Sequence, residues 1–153
     1  MVVATTHNKP HTGAYGASDS LSSNGYSGII EEIEKTSTIA IINNWSEHFG
    51  VDKDTALVLA WCESRLEPNS KNPISSATGV YQIIDSTWWS IERNIPSNLK
   101  TLLKDRKDAE SNIIAGLWLL KTDGIKHWTV DKHTKKCFNA TTPEMVLAKV
   151  AQK

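Results

Sequence analysis

The sequence predicts an all-α domain with a buried central helix and little or no β-structure. Apolar residues recur at the three- and four-residue spacing of helices over most of the chain beyond residue 27. No segment shows a sustained strand-like alternation, and no internal repeat is present. At 153 residues the chain has the usual length of one domain and can bury about 70% of its unfolded surface without metals or several disulfides.

The elements follow in order. Residues 1–27 are Gly, Ser, Thr, Asn and His with isolated tyrosines and have no apolar period, so they are expected to form a flexible arm ahead of a folded domain over 28–153. "GIIEEIEKTSTIAIINNWSEHFG" places Ile29, Ile30, Ile33, Ile39, Ile42, Trp45 and Phe49 at helical spacing, with Gly50 as the stop. "VDKDTALVLAWCES" opens on Asp52 or Asp54 as a cap and is apolar all round from Ala56 to Trp61, the mark of a buried helix. Pro68 to Ser76 reads as an irregular loop. "GVYQII" suits either a short strand or the start of a helix. Asp85 is the expected cap of "STWWSIERN", which Pro96 ends. "SNLKTLLKD" gives a short helix, and "DAESNIIAGLWLLKTDG" a long one capped by Asp108 and closed by Gly124. "IKHWTVDKHTKKCFNATT" has no clear period, and Thr142 with Pro143 starts a last helix.

Lys plus Arg and Asp plus Glu each number 17, so no global field favours nucleic acid or an acidic membrane surface. No stretch approaches the ~20 apolar residues of a membrane span, and "MVVATTHNKP" lacks the features of a signal peptide. The expectation is a cytosolic protein or a mature form without its export signal, monomeric and with no cofactor. The two cysteines, Cys62 and Cys137, suit either one disulfide or two buried thiols. If paired, they would stabilise the fold by on the order of 4 kcal/mol.

Glu63 follows Trp61 and Cys62 at the end of the apolar helix. Burial and a helix C-terminus both disfavour its ionised form, which is what a general acid for glycosidic cleavage needs. The plainer reading pairs it with Arg65 or Lys71. Ser64 can bond the acid or a sugar, or cap the helix end. Gln82, inside "VYQII", must find polar partners, either in the core or in a sugar's hydroxyl and N-acetyl groups. Among six tryptophans, Trp88, Trp89 and Trp128 lie outside the most apolar helix and can stack on sugars or fill the core.

"ALVLAWCESRLEPNS", "ATGVYQIIDSTW" and "DAESNIIAGLWLL" together resemble the lysozyme-fold lytic transglycosylases of the soluble type, relatives of goose-type lysozyme. The matches are Glu63 with Ser64, Gly79 to Gln82, and Asn112-Ile113 with Gly116. The "CES" triplet with a later Trp and Cys is similar to the resuscitation-promoting factors, which share the fold and bridge those cysteines. The resemblance covers about Ile33 to Trp128. It implies a lysozyme-like fold, Glu63 as acid and base, and Ser64, Tyr81, Gln82, Trp89 and Trp128 on a sugar groove. It further implies a Cys62–Cys137 bridge and peptidoglycan as substrate, cut between N-acetylmuramic acid and N-acetylglucosamine in a secreted or envelope setting, cellular or phage-borne. Tyr81 stands where the family often has methionine, and the Ala-Tyr-Asn signature expected after the long helix is replaced by "GIKHWTVDKHTKKC".

A single-acid enzyme forming a 1,6-anhydro product is the reading adopted. A hydrolytic muramidase on the same fold would call on a second carboxylate, with Asp85 or Asp108 as candidates that also serve as helix caps. A non-catalytic wall-binding module would keep the tryptophans and Gln82. A zinc site of His127, His133 and Cys137 has spacing unlike structural zinc sites, so no metal is assigned. A cytosolic helical interaction protein would keep both cysteines reduced.

Overall fold

The helical spacing is realised in the computed structural model, which describes residues 23–152. Helix α1 spans Ser23–Phe49. Residues 23–27, expected in the arm, belong to it, and the rest of the arm lies outside the described residues. Its buried face is Lys35, Thr38, Ile42 and Ser46, three or four residues apart, whereas Ile30 and Ile33 are exposed. Glu31, one turn earlier, meets the Lys35 ammonium at 2.6 Å. Gly50 takes the left-handed backbone (φ 63°) that ends the helix.

Helix α2 spans Lys53–Ser64, and Asp52 is its cap, accepting from Thr55 N at 2.7 Å. Ala56 to Ala60 are all buried. The chain leaves α2 through two left-handed residues, Arg65 (φ 60°) and Leu66 (φ 66°), and Leu66 is fully buried. Each such conformation costs about 1 kcal/mol or more in a non-glycine residue, so burial of Leu66 has to hold the reversal. Glu63 is thereby fixed at the helix end.

Residues 70–84 are neither a regular strand nor a helix. Two isolated antiparallel bridges, Lys71 with Thr78 and Thr78 with Ile83, hold a tight turn. Helix α3 (Asp85–Asn94) follows, but Asp85 is not its cap. Ile84 holds that position without a side-chain bond, and the Asp85 carboxylate pairs with Arg106. The Arg106 guanidinium also donates to the carbonyls of Ser76 and Ile83, closing the turn from outside. Helix α4 (Ser97–Lys100) leads to α5 (Ala109–Asp123), where Asp108 does cap, accepting from Ser111 N at 3.0 Å. Residues 111–117 of α5 are all buried, so it shares the centre with α2.

The segment without a clear period forms two helices, α6 (Lys126–Thr129) and α7 (Lys132–Ala140). Helix α8 (Pro143–Ala151) starts as expected, with Thr142 accepting from Met145 N at 3.3 Å. Among the described residues the secondary structure is thus eight helices and two isolated bridges. Helix α1 packs on α2, α5 and α8, while α2 is flanked by α7 and α8.

One polar centre ties the 79–82 turn to α5. Asn112 is fully buried and donates to the carbonyls of Thr78 (3.0 Å) and Arg106 (2.9 Å) while accepting from Tyr81 N (2.9 Å). A Cβ on Gly79 would meet the Asn112 side chain at 2.4 Å, and its φ of 78° excludes most other residues. A Cβ on Gly116 would meet the Tyr81 ring at 2.5 Å. Gly116→Ala is therefore expected to destabilise by roughly 2 kcal/mol, since overpacking outweighs the gain in helix propensity. Gly28→Ala has nothing within 4 Å and is expected to stabilise by up to about 1 kcal/mol. Denaturant melts of the two variants check this, and shifts of the same sign would contradict the steric account.

Candidate active site

The end of α2, the 79–82 turn, α7 and Lys149 near the end of α8 enclose an open cleft of about 750 Å³. Glu63 reaches it from the last turn of α2, between Cys62 on one side and the buried Ser64 on the other. Burial raises the Glu63 carboxyl to about 7. A hydrogen bond from Thr134 Oγ1 to Glu63 Oε1 (2.8 Å) works against that rise, and the Asp131 charge adds to it. The carboxyl thus carries its proton close to neutral pH. Neither Arg65 nor Lys71 pairs with it. Arg65 donates to Trp61 O at 3.1 Å and its guanidinium lies 5.1 Å from the Trp61 ring centroid.

Cys62 and Cys137 form a disulfide with Cα atoms 5.8 Å apart. It binds α7 directly beside Glu63. Gln82, in the 79–82 turn, also lines the cleft, with a left-handed backbone (φ 48°). Its amide nitrogen donates to Gly79 O (2.9 Å) and Ser70 O (3.3 Å), which leaves its side-chain carbonyl facing no donor among the described residues.

Other expected groove residues lie elsewhere. Tyr81 is fully buried, its hydroxyl donating to Ala56 O at 3.1 Å. Trp128 is core as well, and its indole N–H donates to Tyr81 O at 2.9 Å. Ser64 is buried, and its hydroxyl is spent on Val80 O at 2.9 Å, with Ala60 O as the alternative at 3.3 Å. These three residues hold the turn that carries Gln82 and do not line the cleft. Trp89 is 57% exposed on α3, again outside the cleft lining. Asp85 and Asp108 are also outside it.

Trp61, Asp131 and Thr134 line the cleft without having been singled out for it. A signal for Thr134 was present. It stands three residues before Cys137, hence on the same helical face, and pairing of Cys137 with Cys62 turns that face towards Glu63. His127 pairs with Asp123 at 2.6 Å and Cys137 is consumed by the disulfide. Among the described residues no three His, Cys, Asp or Glu are grouped to hold a metal ion.

An all-α frame in which the end of a buried helix offers a carboxyl to an open cleft is consistent with a lysozyme-like domain. Residues 40–128, more than half of the chain, match the family described as the transglycosylase SLT domain, and the chain belongs to that family. It is a lytic transglycosylase, an enzyme that cleaves peptidoglycan. No curated protein and no solved structure matches the chain. Its substrate lies in the cell wall, and no described helix is long and apolar enough to cross a membrane.

Proposed function

We propose that this chain cuts the bond between N-acetylmuramic acid and N-acetylglucosamine with Glu63 as both acid and base, leaving a 1,6-anhydro end. The observation that carries the reading is the partly buried Glu63 carboxyl, raised to about 7 on the wall of the cleft. Protonated Glu63 gives its proton to the glycosidic oxygen, and the bond from that oxygen to C1 of the muramic acid breaks as positive charge develops at C1. The Glu63 carboxylate then takes the proton of the same sugar's 6-hydroxyl, and O6 bonds to C1. No water is consumed, and Glu63 ends protonated again.

Asp131 is the other carboxylate lining the cleft. Both carboxylates lie within reach of one hydroxyl, that of Thr134, at 2.8 Å for Glu63 and 3.4 Å for Asp131. They therefore share a wall with Thr134 between them, too close together for the inverting arrangement in which a second carboxylate activates a water across the sugar. This favours the single-acid route over inverting hydrolysis. The unmatched Gln82 carbonyl suits a sugar N–H or hydroxyl, and Trp61, with Arg65 over its ring, adds apolar lining beside it.

Mass spectrometry of fragments released from purified peptidoglycan tests the reading. Fragments lighter by one water than hydrolysed ones are expected, and hydrated fragments would replace it with a muramidase. Activity should also decline as pH rises through about 7, because the acid ionises there. A pH–rate profile flat to about pH 9 would remove Glu63 from the acid role.

A further inference from the structure

We propose that Thr134 is a positioning residue for Glu63, held over the carboxyl by a helix that Asp131 caps and the Cys62–Cys137 bridge straps down. The proposal rests on Glu63 being the acid, and it concerns a part of the chain beyond residues 40–128, the stretch that matches the family.

Four observations converge. Thr134 is 5% exposed, the one buried residue of a helix in which Cys137 and Phe138 are half-buried and the other residues are exposed. Its hydroxyl has a single proton, and Glu63 Oε1 at 2.8 Å is the nearer acceptor than Asp131 Oδ2 at 3.4 Å. A carboxyl that accepts at Oε1 carries its own proton on Oε2, so the donated bond selects which oxygen is the acid. Asp131 meanwhile uses Oδ1 to accept from His133 N at 2.9 Å, which starts α7. The bridge at Cys137, one turn after Thr134, fixes the helix against the residue that precedes Glu63. Phe138 packs on the core from the same helix, and the cap and the bridge fix where Thr134 stands on it.

The two neighbours act on Glu63 in opposite directions. The Thr134 bond favours the ionised carboxyl and the Asp131 charge disfavours it. The other charged or titratable groups bordering the cleft are Arg65 after α2, His133 and Lys136 on α7, and Lys149 on α8. All of these are kept in the test.

The test measures kcat, KM and pH–rate profiles on purified peptidoglycan for Thr134→Val, Thr134→Ser and Asp131→Asn, with Glu63→Gln alongside and thermal melts to show folding. Thr134→Val, matched in shape, is expected to lower kcat about tenfold with KM little changed, the size of one hydrogen bond to a charged group. Its alkaline limb should move up in pH. Asp131→Asn keeps the cap and should move that limb down, and Thr134→Ser should restore both rate and limb. A Thr134→Val enzyme with the parent's rate and limb overturns the proposal. So does a loss of rate in which the limb stays put and serine fails to rescue, because that is a packing effect. Full activity in Glu63→Gln would instead overturn the acid assignment, and the proposal with it.

Discussion

Glu63→Gln is expected to abolish peptidoglycan cleavage, lowering kcat by about a thousandfold or more, since in the proposed route one group supplies both proton transfers and each typically contributes about 10²–10⁴. A glutamine there keeps the size of the side chain and an oxygen to accept from Thr134. The fold should therefore persist, and its stability should respond to pH in an informative way. Below about pH 4.5 the glutamate is protonated in both folded and unfolded chains and imposes no cost. As pH rises from there through about 7, the unfolded chain ionises first, and the parent protein loses stability that the glutamine variant keeps. The variant is expected to melt close to the parent at about pH 4 and above it at about pH 8. Calorimetry at the two pH values, beside a fragment assay, measures both effects. A variant that is inactive yet less stable at the higher pH would mean that the carboxyl is held by partners rather than displaced from water.

Removal of the Cys62–Cys137 bridge should have the largest effect on stability. It closes a loop between residues 75 apart in sequence, and in the chain-entropy account it stabilises the fold by about 4 kcal/mol. For a domain of this size that corresponds to a fall in Tm of roughly 10 °C. Cys62→Ser with Cys137→Ser, or treatment with a reductant, is the experiment. Activity measured well below the melting range should fall too, because the bridge joins α7 to the residue before Glu63 and without it Phe138 is left as the main apolar anchor of α7. A double variant that melts within a degree or two of the parent would show that packing of α7 and α8 on α2 holds the segment by itself.

The parts of the fold that follow from residue type along a helix were legible in the sequence. The apolar run from Ala56 to Trp61 announced a buried helix, and Glu63 at its end drew attention because a carboxyl is costly there. Directions of side chains were not legible. Tyr81 and Trp128 are amphipathic, and the same residues serve a sugar groove or a core whose carbonyls accept their protons. Ser64 was open to the same ambiguity. Asp85 has the composition of a cap, but Arg106, distant in sequence, claims its carboxylate. Helix α7 was missed because its apolar contacts come from the adjacent Cys137 and Phe138, beside a cap and a covalent tether, and leave no apolar period.

The Asn112 centre bears on how the sequence can vary. Asn112 fills the space that a side chain at Gly79 would need, Tyr81 fills the space above Gly116, and Trp128 depends on the Tyr81 carbonyl. Substitutions at such positions do not add, because each removes the partner that made another residue tolerable. A lineage carrying this turn is thus confined to moves that alter several of these positions together, and the wall bearing Gln82 and the helix behind it drift as one heritable block.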